Sequence, residues 1–512
     1  MYIVTAEQMR QIDHYTIDTI GIPAQVLMEN AGRETADEAM LIHTALAACE
    51  QLKPWLVLIG KGHNGADGIV AARHLYERGA DVRLLYTAPP ETLRGEPARQ
   101  RDIVRHWPIP AETYKPGVLQ WSQFAGVVDA LLGTGFKGSP REPIASLIRE
   151  VNASGLPIVA LDLPSGLDAD TGQATEPCIR ATRTAALAFL KRGLVQEPGA
   201  SLAGHTAVRP IGIPQHLAAQ FQLRTRLTTE AEISRRWGDP HAPRQADAHK
   251  GTYGHALVAA GSLTYSGAGL LAARAALRMG TGLVTWAQPE TLTSRLVGLV
   301  PEAILHGLPD QANGDWRNVA PEALAAAAVD KQALVLGPGL GRFSGDSEWL
   351  KAVWEVTDLP LLLDADALNM LAEADDFPQW KLRSQPAVLT PHPGEMARLC
   401  HKSVRDIQQN RVDIASAYAQ QYGVILVLKG AGTVIASPSG CIWVNPTGNP
   451  GMATGGSGDV LAGMIGSLLA QGRESEAAAV IGVWQHGAAG DRARKARHTE
   501  ASLLAGDIIE AL

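Results

Sequence analysis

Several stretches of the 512-residue chain place glycine beside a carboxylate or hydroxyl in spacings that chemistry can use. In NPGMATGGSGDVLAGMIG (449–466), Gly455, Gly456 and Gly458 surround Ser457 and run straight into an apolar helical pattern, with Asp459 one step inside. A helix that starts on glycines offers unbonded N–H groups and a partial positive charge. The pattern therefore predicts an anion hole for a transferring phosphoryl group, with Asp459 placed to take a proton from an attacking hydroxyl. In WLVLIGKGHNGADGIVAARHL (55–75), Gly60, Gly62 and Gly65 read as strand, tight turn and helix start, a second place for an anion. Asp129 ends an apolar strand and leads into GTGFKGSP (133–140). Asp162 closes PIVALD and leads into LPSGLDADTG (163–172). Carboxylates at the C-terminal ends of parallel strands face the crevice where open α/β sheets bind ligands. Any one of them alone would serve equally well to cap the following turn.

The elements that must position these groups are short apolar runs alternating with alanine-rich helical patterns. Examples are WLVLIG, DVRLLY, GVVDALLG and PIVALDLPSG in the first half, and HALVAAGS, ALVLGPG, LPLLLDAD, PAVLTPH and GVILVLKG in the second. Continuous apolar strands separated by helices imply parallel sheets covered on both faces, so the fold class is α/β. The polar, Pro-rich run after VRPIGIPQH predicts a unit over 1–216, a linker over 217–223 and a larger unit over 224–512. Apolar residues make up 46% of the chain, enough for two full cores, and the net charge of −7 gives no basic patch for nucleic acid or anionic membrane. Cys49, Cys178, Cys400 and Cys441 are scattered, without a CxxC pair, which points to neither a zinc site nor a disulfide framework. No apolar run reaches the ~20 residues of a membrane helix, and a cytoplasmic protein is expected. The strand DVRLLYT ends on Tyr86 and Thr87 where a nicotinamide dehydrogenase wants an acid, which weakens that reading. No GxxxxGK[ST] is present, so the chain is not a P-loop enzyme.

VTAEQMRQIDHYTIDTIGIPAQVLMENAG, GHNGADGIVAARHL, VVDALLGTGFKG and LDLPSGLDADTG together resemble the NAD(P)H-hydrate epimerase domain, over essentially all of residues 1–215. The resemblance implies a Rossmann-like three-layer α/β/α sandwich that holds potassium through Asn64, Asp129 and Ser165. It also implies substrate contacts from His63, Asn64, Gly65, Ala66 and Asp67, from Gly133, Thr134, Gly135, Phe136, Lys137, Gly138 and Ser139, and from Asp162. Asp162 is the candidate acid/base for epimerisation at C6. The family reads NNGGDG where this chain reads HNGADG, so Ala66 requires a backbone that does not need positive φ.

The glycine–aspartate helix start at 455–459 resembles the ribokinase-like superfamily. With AHKGTYGHALVAAGSLTYSGAGLL, ALVLGPGLG, LLLDADALNML, LTPHPGEMARL and VLKGAGTVI in this order, residues 224–512 are similar to ADP-dependent NAD(P)H-hydrate dehydratases. The likeness implies hydrate contacts from Ala268, Gly339, His392 and Asp459. ADP would be held by Lys429, Gly430, Ala431, Gly432, Thr433 and Gly458, with Mg2+ on its phosphates. A kinase fold suits dehydration because hydroxide leaves poorly while phosphate leaves well. The substrates implied are the hydrates NADHX and NADPHX, the product NAD(P)H, and a homo-oligomer is expected. Two other readings stand beside this one. The second half could be a ribokinase-like vitamin-precursor kinase using ATP, and the first half a non-catalytic ligand sensor.

Overall fold

The computed structural model describes residues 1–47 and 53–512, and Cys49 lies outside them. The chain divides into two compact units, Met1–Leu223 and Arg224–Leu512. Residues 217–223, expected as a linker, belong to the first unit: they include a short helix, Leu217–Gln220, and bury Leu217, Ala218 and Leu223 in its core. Their apolar side chains outweigh the polar run that follows, which is why the division falls after Leu223.

The first unit is built on seven strands, β1 (Trp55–Ile59), β2 (Val82–Tyr86), β3 (Ala111–Thr113), β4 (Gly126–Ala130), β5 (Ile158–Leu161), β6 (Arg183–Leu187) and β7 (His205–Arg209). They are all parallel, in the order β3-β2-β1-β4-β5-β6-β7. Strand β1 shows why both faces are covered. Trp55, Val57 and Ile59 enter one apolar core while Leu56 and Leu58 enter another, as the two-residue period of a strand demands. The order reverses between β1 and β4, and this switch point opens a crevice at the strands' C-terminal ends. Close backbone approach forms it. A methyl group on Gly60, just after β1, would lie 1.9 Å from the carbonyl oxygen of Leu131, just after β4. A separate parallel pair, Ile3–Val4 with Leu190–Lys191, ties the N-terminal segment to the chain beyond β6.

The second unit holds ten strands, β8 (Thr225–Leu227), β9 (His255–Ala259), β10 (Leu283–Pro289), β11 (Ile304–Leu308), β12 (Ala333–Leu336), β13 (Leu361–Leu363), β14 (Val388–Leu389), β15 (Ile425–Leu428), β16 (Thr433–Ala436) and β17 (Ile442–Asn445). They run in the order β8-β17-β16-β15-β14-β13-β12-β9-β10-β11. Leu334 and Leu336 of β12 face one core and Ala333 and Val335 the other, so this sheet too is packed on both sides. The sheet is parallel except at β16, which is antiparallel to both neighbours. That exception departs from the all-parallel reading, because the four residues 429–432 joining β15 to β16 are too few for a crossover helix and close a hairpin instead. The helix Ser457–Ala470 crosses the middle of the unit, with apolar residues on nearly every side.

Gly60 has no room for a side chain, so Gly60→Ala should destabilise the first unit by about 2 kcal/mol or more. Denaturant melts of the full chain should show an early transition for that unit alone.

Candidate functional sites

In the first unit, the helix His63–Glu77 starts on Gly62 with no side-chain cap, leaving its first N–H groups facing the switch-point crevice. His63 is exposed at the rim. Ala66 lies inside the helix, buried against Met28 and Val70, and its φ is not positive. The alanine therefore replaces the family's glycine without backbone strain. The loop 133–139 begins beside this helix: a methyl on Gly133 would touch Asn64 at 3.4 Å. Lys137 and Ser139 in that loop are exposed, and Thr134 and Phe136 are half-buried.

The three predicted potassium ligands converge. Asp129 is 0% exposed, and its carboxylate accepts from the N–H (2.8 Å) and hydroxyl (2.7 Å) of Ser165 and from the N–H of Leu131 (3.2 Å). Ser165 Oγ accepts from Leu132 N–H at 2.9 Å, and Asn64 Nδ2 donates to the Leu132 carbonyl at 3.0 Å. Burial pushes the Asp129 carboxyl up to about 6, against the pull of these hydrogen bonds, and no side-chain cation acts on it. A buried carboxylate bonded only to neutral donors is one that a cation would settle.

Asp162 sits just past β5 at φ 68°, a left-handed conformation an aspartate tolerates better than most residues. It accepts from Leu187 N–H at 3.0 Å and is ion-paired with Lys191, which is 1% exposed and also donates to the Leu187 carbonyl at 2.7 Å. Asp13, on the helix Ala6–His14, and Asp67 are half-buried close by. Burial raises Asp13 to about 6, opposed by Lys191 and reinforced by Asp162. Asp67 is raised well above its ordinary range by burial, then by Asp162 and Asp13. Lys191 and Asp13 escaped the sequence reading. Neither lies in a glycine motif, and each reaches the site from a different part of the chain.

In the second unit the helix Ser457–Ala470 starts on Gly456 at φ 90° without a side-chain cap, as an anion hole requires. A methyl on Gly458 would lie 3.3 Å from Lys429 Nζ and 3.9 Å from Asp364 Oδ2, which locates the helix start against a buried ion pair. Lys429 Nζ donates to Asp364 Oδ1 at 2.7 Å and stands 4.0 Å from Glu395 Oε2. Thr390 Oγ1 donates to the same Asp364 oxygen at 2.8 Å. Burial works against the Lys429 charge, but Asp364 and Glu395 outweigh it and raise the ammonium. Burial pushes Asp459 up to about 7, with Asp364 adding to the effect and Lys429 opposing it; Glu395 is also raised to about 7 by burial, with Lys429 opposing.

His392 caps the helix Pro393–Leu399. Its Nδ1 accepts from Gly394 N–H at 2.9 Å and Glu395 N–H at 3.3 Å, while Glu395 accepts from His392 N–H at 2.7 Å. Burial lowers the imidazole's pKa, so it is a neutral group at the strand end. Ala268 and Gly339 meet: a methyl on Gly339 would be 2.9 Å from Ala268 Cβ. Asp364 and Glu395 were not singled out from the sequence. LLLDAD offered the same strand-end carboxylate signal used for Asp129 and Asp162, whereas Glu395 reads as the acidic half of a capping box.

Fold and site thus define a two-unit α/β enzyme. The first unit carries an anion-receptive switch point, and the second carries a glycine-led helix with an aspartate in its first turn. Residues 24–193 match the family model described as YjeF-related protein N-terminus, and residues 256–512 match NAD(P)H-hydrate dehydratase. The bifunctional NAD(P)H-hydrate repair enzyme of Moorella thermoacetica is 42% identical over 100% of this chain and 96% of its own length. That of Escherichia coli is 35% identical over 99% and 92%. A solved structure from Bacillus subtilis, an ADP/ATP-dependent NAD(P)H-hydrate dehydratase co-crystallised with ATP/Mg2+, is 34% identical, covers 56% of this chain and 95% of its own, and has a TM-score of 0.48. The chain belongs to the family of bifunctional NAD(P)H-hydrate repair enzymes.

Lys191→Met should cost about 3–5 kcal/mol of stability at neutral pH, because it leaves Asp162 buried without its partner. Asp13 holds its proton more tightly folded than unfolded, so its contribution to stability falls as pH rises from about 4 through 6, and Asp67 is shifted in the same direction. The loss in Lys191→Met should therefore be larger at pH 8 than at pH 5 in urea titrations.

Proposed function

We propose that the first unit interconverts the two C6 epimers of NADHX and NADPHX, and that the second dehydrates one of them to NAD(P)H at the expense of ADP. The observation that carries the dehydratase half is the start of the helix Ser457–Ala470, uncapped and facing the buried Lys429–Asp364 pair with Asp459 in its first turn. Asp459 takes the proton from the C6 hydroxyl as that oxygen attacks the terminal phosphorus of ADP, and AMP leaves. The ring nitrogen's lone pair then expels phosphate from C6, and loss of a C5 proton restores the dihydronicotinamide. The helix N–H groups stabilise charge on the phosphoryl oxygens in flight. Lys429, with residues 430–433 and Gly458, holds the nucleotide, while Ala268, Gly339 and His392 line the hydrate's side. A vitamin-precursor kinase would need none of the epimerase residues, and a purely sensing first unit would have no use for an acid/base group.

In the first unit Asp162, ion-paired with Lys191, exchanges the proton of the C6 hydroxyl as the ring bond at C6 opens and recloses on the other face. Residues 63–67 and 133–139 hold the dinucleotide's phosphates. Asn64, Asp129 and Ser165 fit a potassium ion: they converge around a buried carboxylate without a counter-charge. When bound, potassium would neutralise that carboxylate and bring positive charge toward the phosphates. Asp364 and Glu395 fit magnesium as oxygen donors, since they and Asp459 share one lysine. Among the described residues no three acidic, imidazole or thiol groups form a ready-made metal cluster. Asp364 and Glu395 would hold magnesium when the nucleotide is bound, and the ion would screen charge on the transferred group. Among the described residues no helix is long and apolar enough to cross a membrane. The free thiols of Cys178, Cys400 and Cys441 suit a reducing cytoplasm.

Absorbance of the dihydronicotinamide, followed from mixed hydrate epimers with ADP, tests the assignment. Full recovery is expected for the native chain, recovery of one epimer only for Asp162→Asn, and none for Asp459→Asn. Because a base must be ionised to act, kcat/KM for dehydration should rise with pH up to about 7 and level off above it. A profile that falls across that range, or recovery by Asp459→Asn, would discard the role given to Asp459. Potassium should raise both melting temperature and epimerisation rate relative to choline at equal ionic strength. Asp129→Asn should abolish that difference.

A further inference from the structure

The helix Arg411–Tyr422 opens on a cation that stability alone does not explain. Arg411 is 4% exposed, at the positive end of a helix dipole, where a cation is disfavoured. Burial lowers its pKa to about 10, and among the described residues no carboxylate acts on it. A buried charge without a counter-ion costs stability.

The guanidinium lies directly beneath the turn between β15 and β16. Nη2 donates to the carbonyls of Leu428 (2.9 Å) and Lys429 (3.2 Å), Nη1 donates to Gln408 Oε1 (2.7 Å), and Nε is buried with no partner. Gly430 rests on the group. A methyl there would stand 3.2 Å from both Nη atoms, and its φ of 135° is closed to other residues. Thr433 Oγ1 donates to the Gly430 carbonyl at 2.8 Å, so three successive carbonyls, 428 to 430, are held from inside the chain. Gly430 and Ala431 are exposed.

From this arrangement we infer that Arg411 is a positioning residue for the dehydratase, which fixes the Lys429–Thr433 turn and supplies a standing positive charge beneath it for the diphosphate of ADP. The inference rests on the reading of residues 429–433 as the nucleotide loop. It separates two tasks. Lys429 meets the nucleotide from the site, while Arg411 never touches it and acts through backbone and field. Its fork is what the task needs, because a lysine could keep the charge but has no rigid planar pair of nitrogens to divide between the two carbonyls and Gln408.

The test measures the KM for ADP and for the hydrate separately in the full chain, together with inhibition by adenosine, which lacks phosphates. Arg411→Gln should raise the KM for ADP about tenfold or more, leaving adenosine inhibition and the hydrate KM within about twofold. Arg411→Lys should recover part of the ADP affinity, and Gly430→Ala should weaken ADP in the same selective way. Should Arg411→Gln fail to fold, Arg411→Lys and Gly430→Ala decide the matter by the same selectivity. An unchanged KM for ADP, or an equal loss for ADP, adenosine and hydrate, overturns the inference. Lys429→Met separates the two levels. If it weakens ADP while the Arg411 and Gly430 variants do not, only the role of Arg411 falls. If none of them alters ADP binding, the nucleotide loop itself has been misplaced.

Discussion

Burying a carboxylate without a counter-charge costs several kcal/mol, and both units gather carboxylates where dehydrated strands end. In each unit one buried lysine carries most of the compensation. Lys191 is bonded to Asp162 and lowers Asp13, while Lys429 serves Asp364, Glu395 and Asp459. Burial, which a single lysine only partly offsets, lifts Asp13 to about 6 and Glu395 and Asp459 to about 7. That is the condition proton transfer at physiological pH requires.

The architecture makes this concentration of charge affordable. Parallel strands covered on both faces present their C-terminal ends along one edge, and successive loops bring residues distant in sequence to a common crevice. Gly60 lets the first of these loops touch the end of β4, and Gly456 lets a helix begin with its N–H groups unspent. The two units use the same device for different ends. In both, a helix starts on a glycine without a side-chain cap.

Coupling the two activities in one chain follows from their chemistry. A dehydratase that reads the configuration at C6 can use one epimer only, and an epimerase in the same chain returns the other to it. The two units each carry an apolar core of their own.

Much of this was legible in the residues alone. The α/β class, the two units, the glycine-led helix starts and the strand-end aspartates Asp129 and Asp162 all follow from local pattern, since apolar period and glycine spacing depend on neighbours in the chain. The division after Leu223 was not legible, because the buried surface of Leu217 and Leu223 outweighs the polarity of the residues beyond them. The antiparallel β16 was also missed, since a short apolar strand carries no mark of its direction. Lys191 and Arg411 belong to no motif, and Asp13 and Asp364 were not singled out within theirs; the basic contacts described join residues 29, 65 or 17 positions apart. Local sequence thus determined where backbone would open to an anion. Only the tertiary fold decided which charges would be buried together there, because burial and pairing are properties of contacts between distant segments.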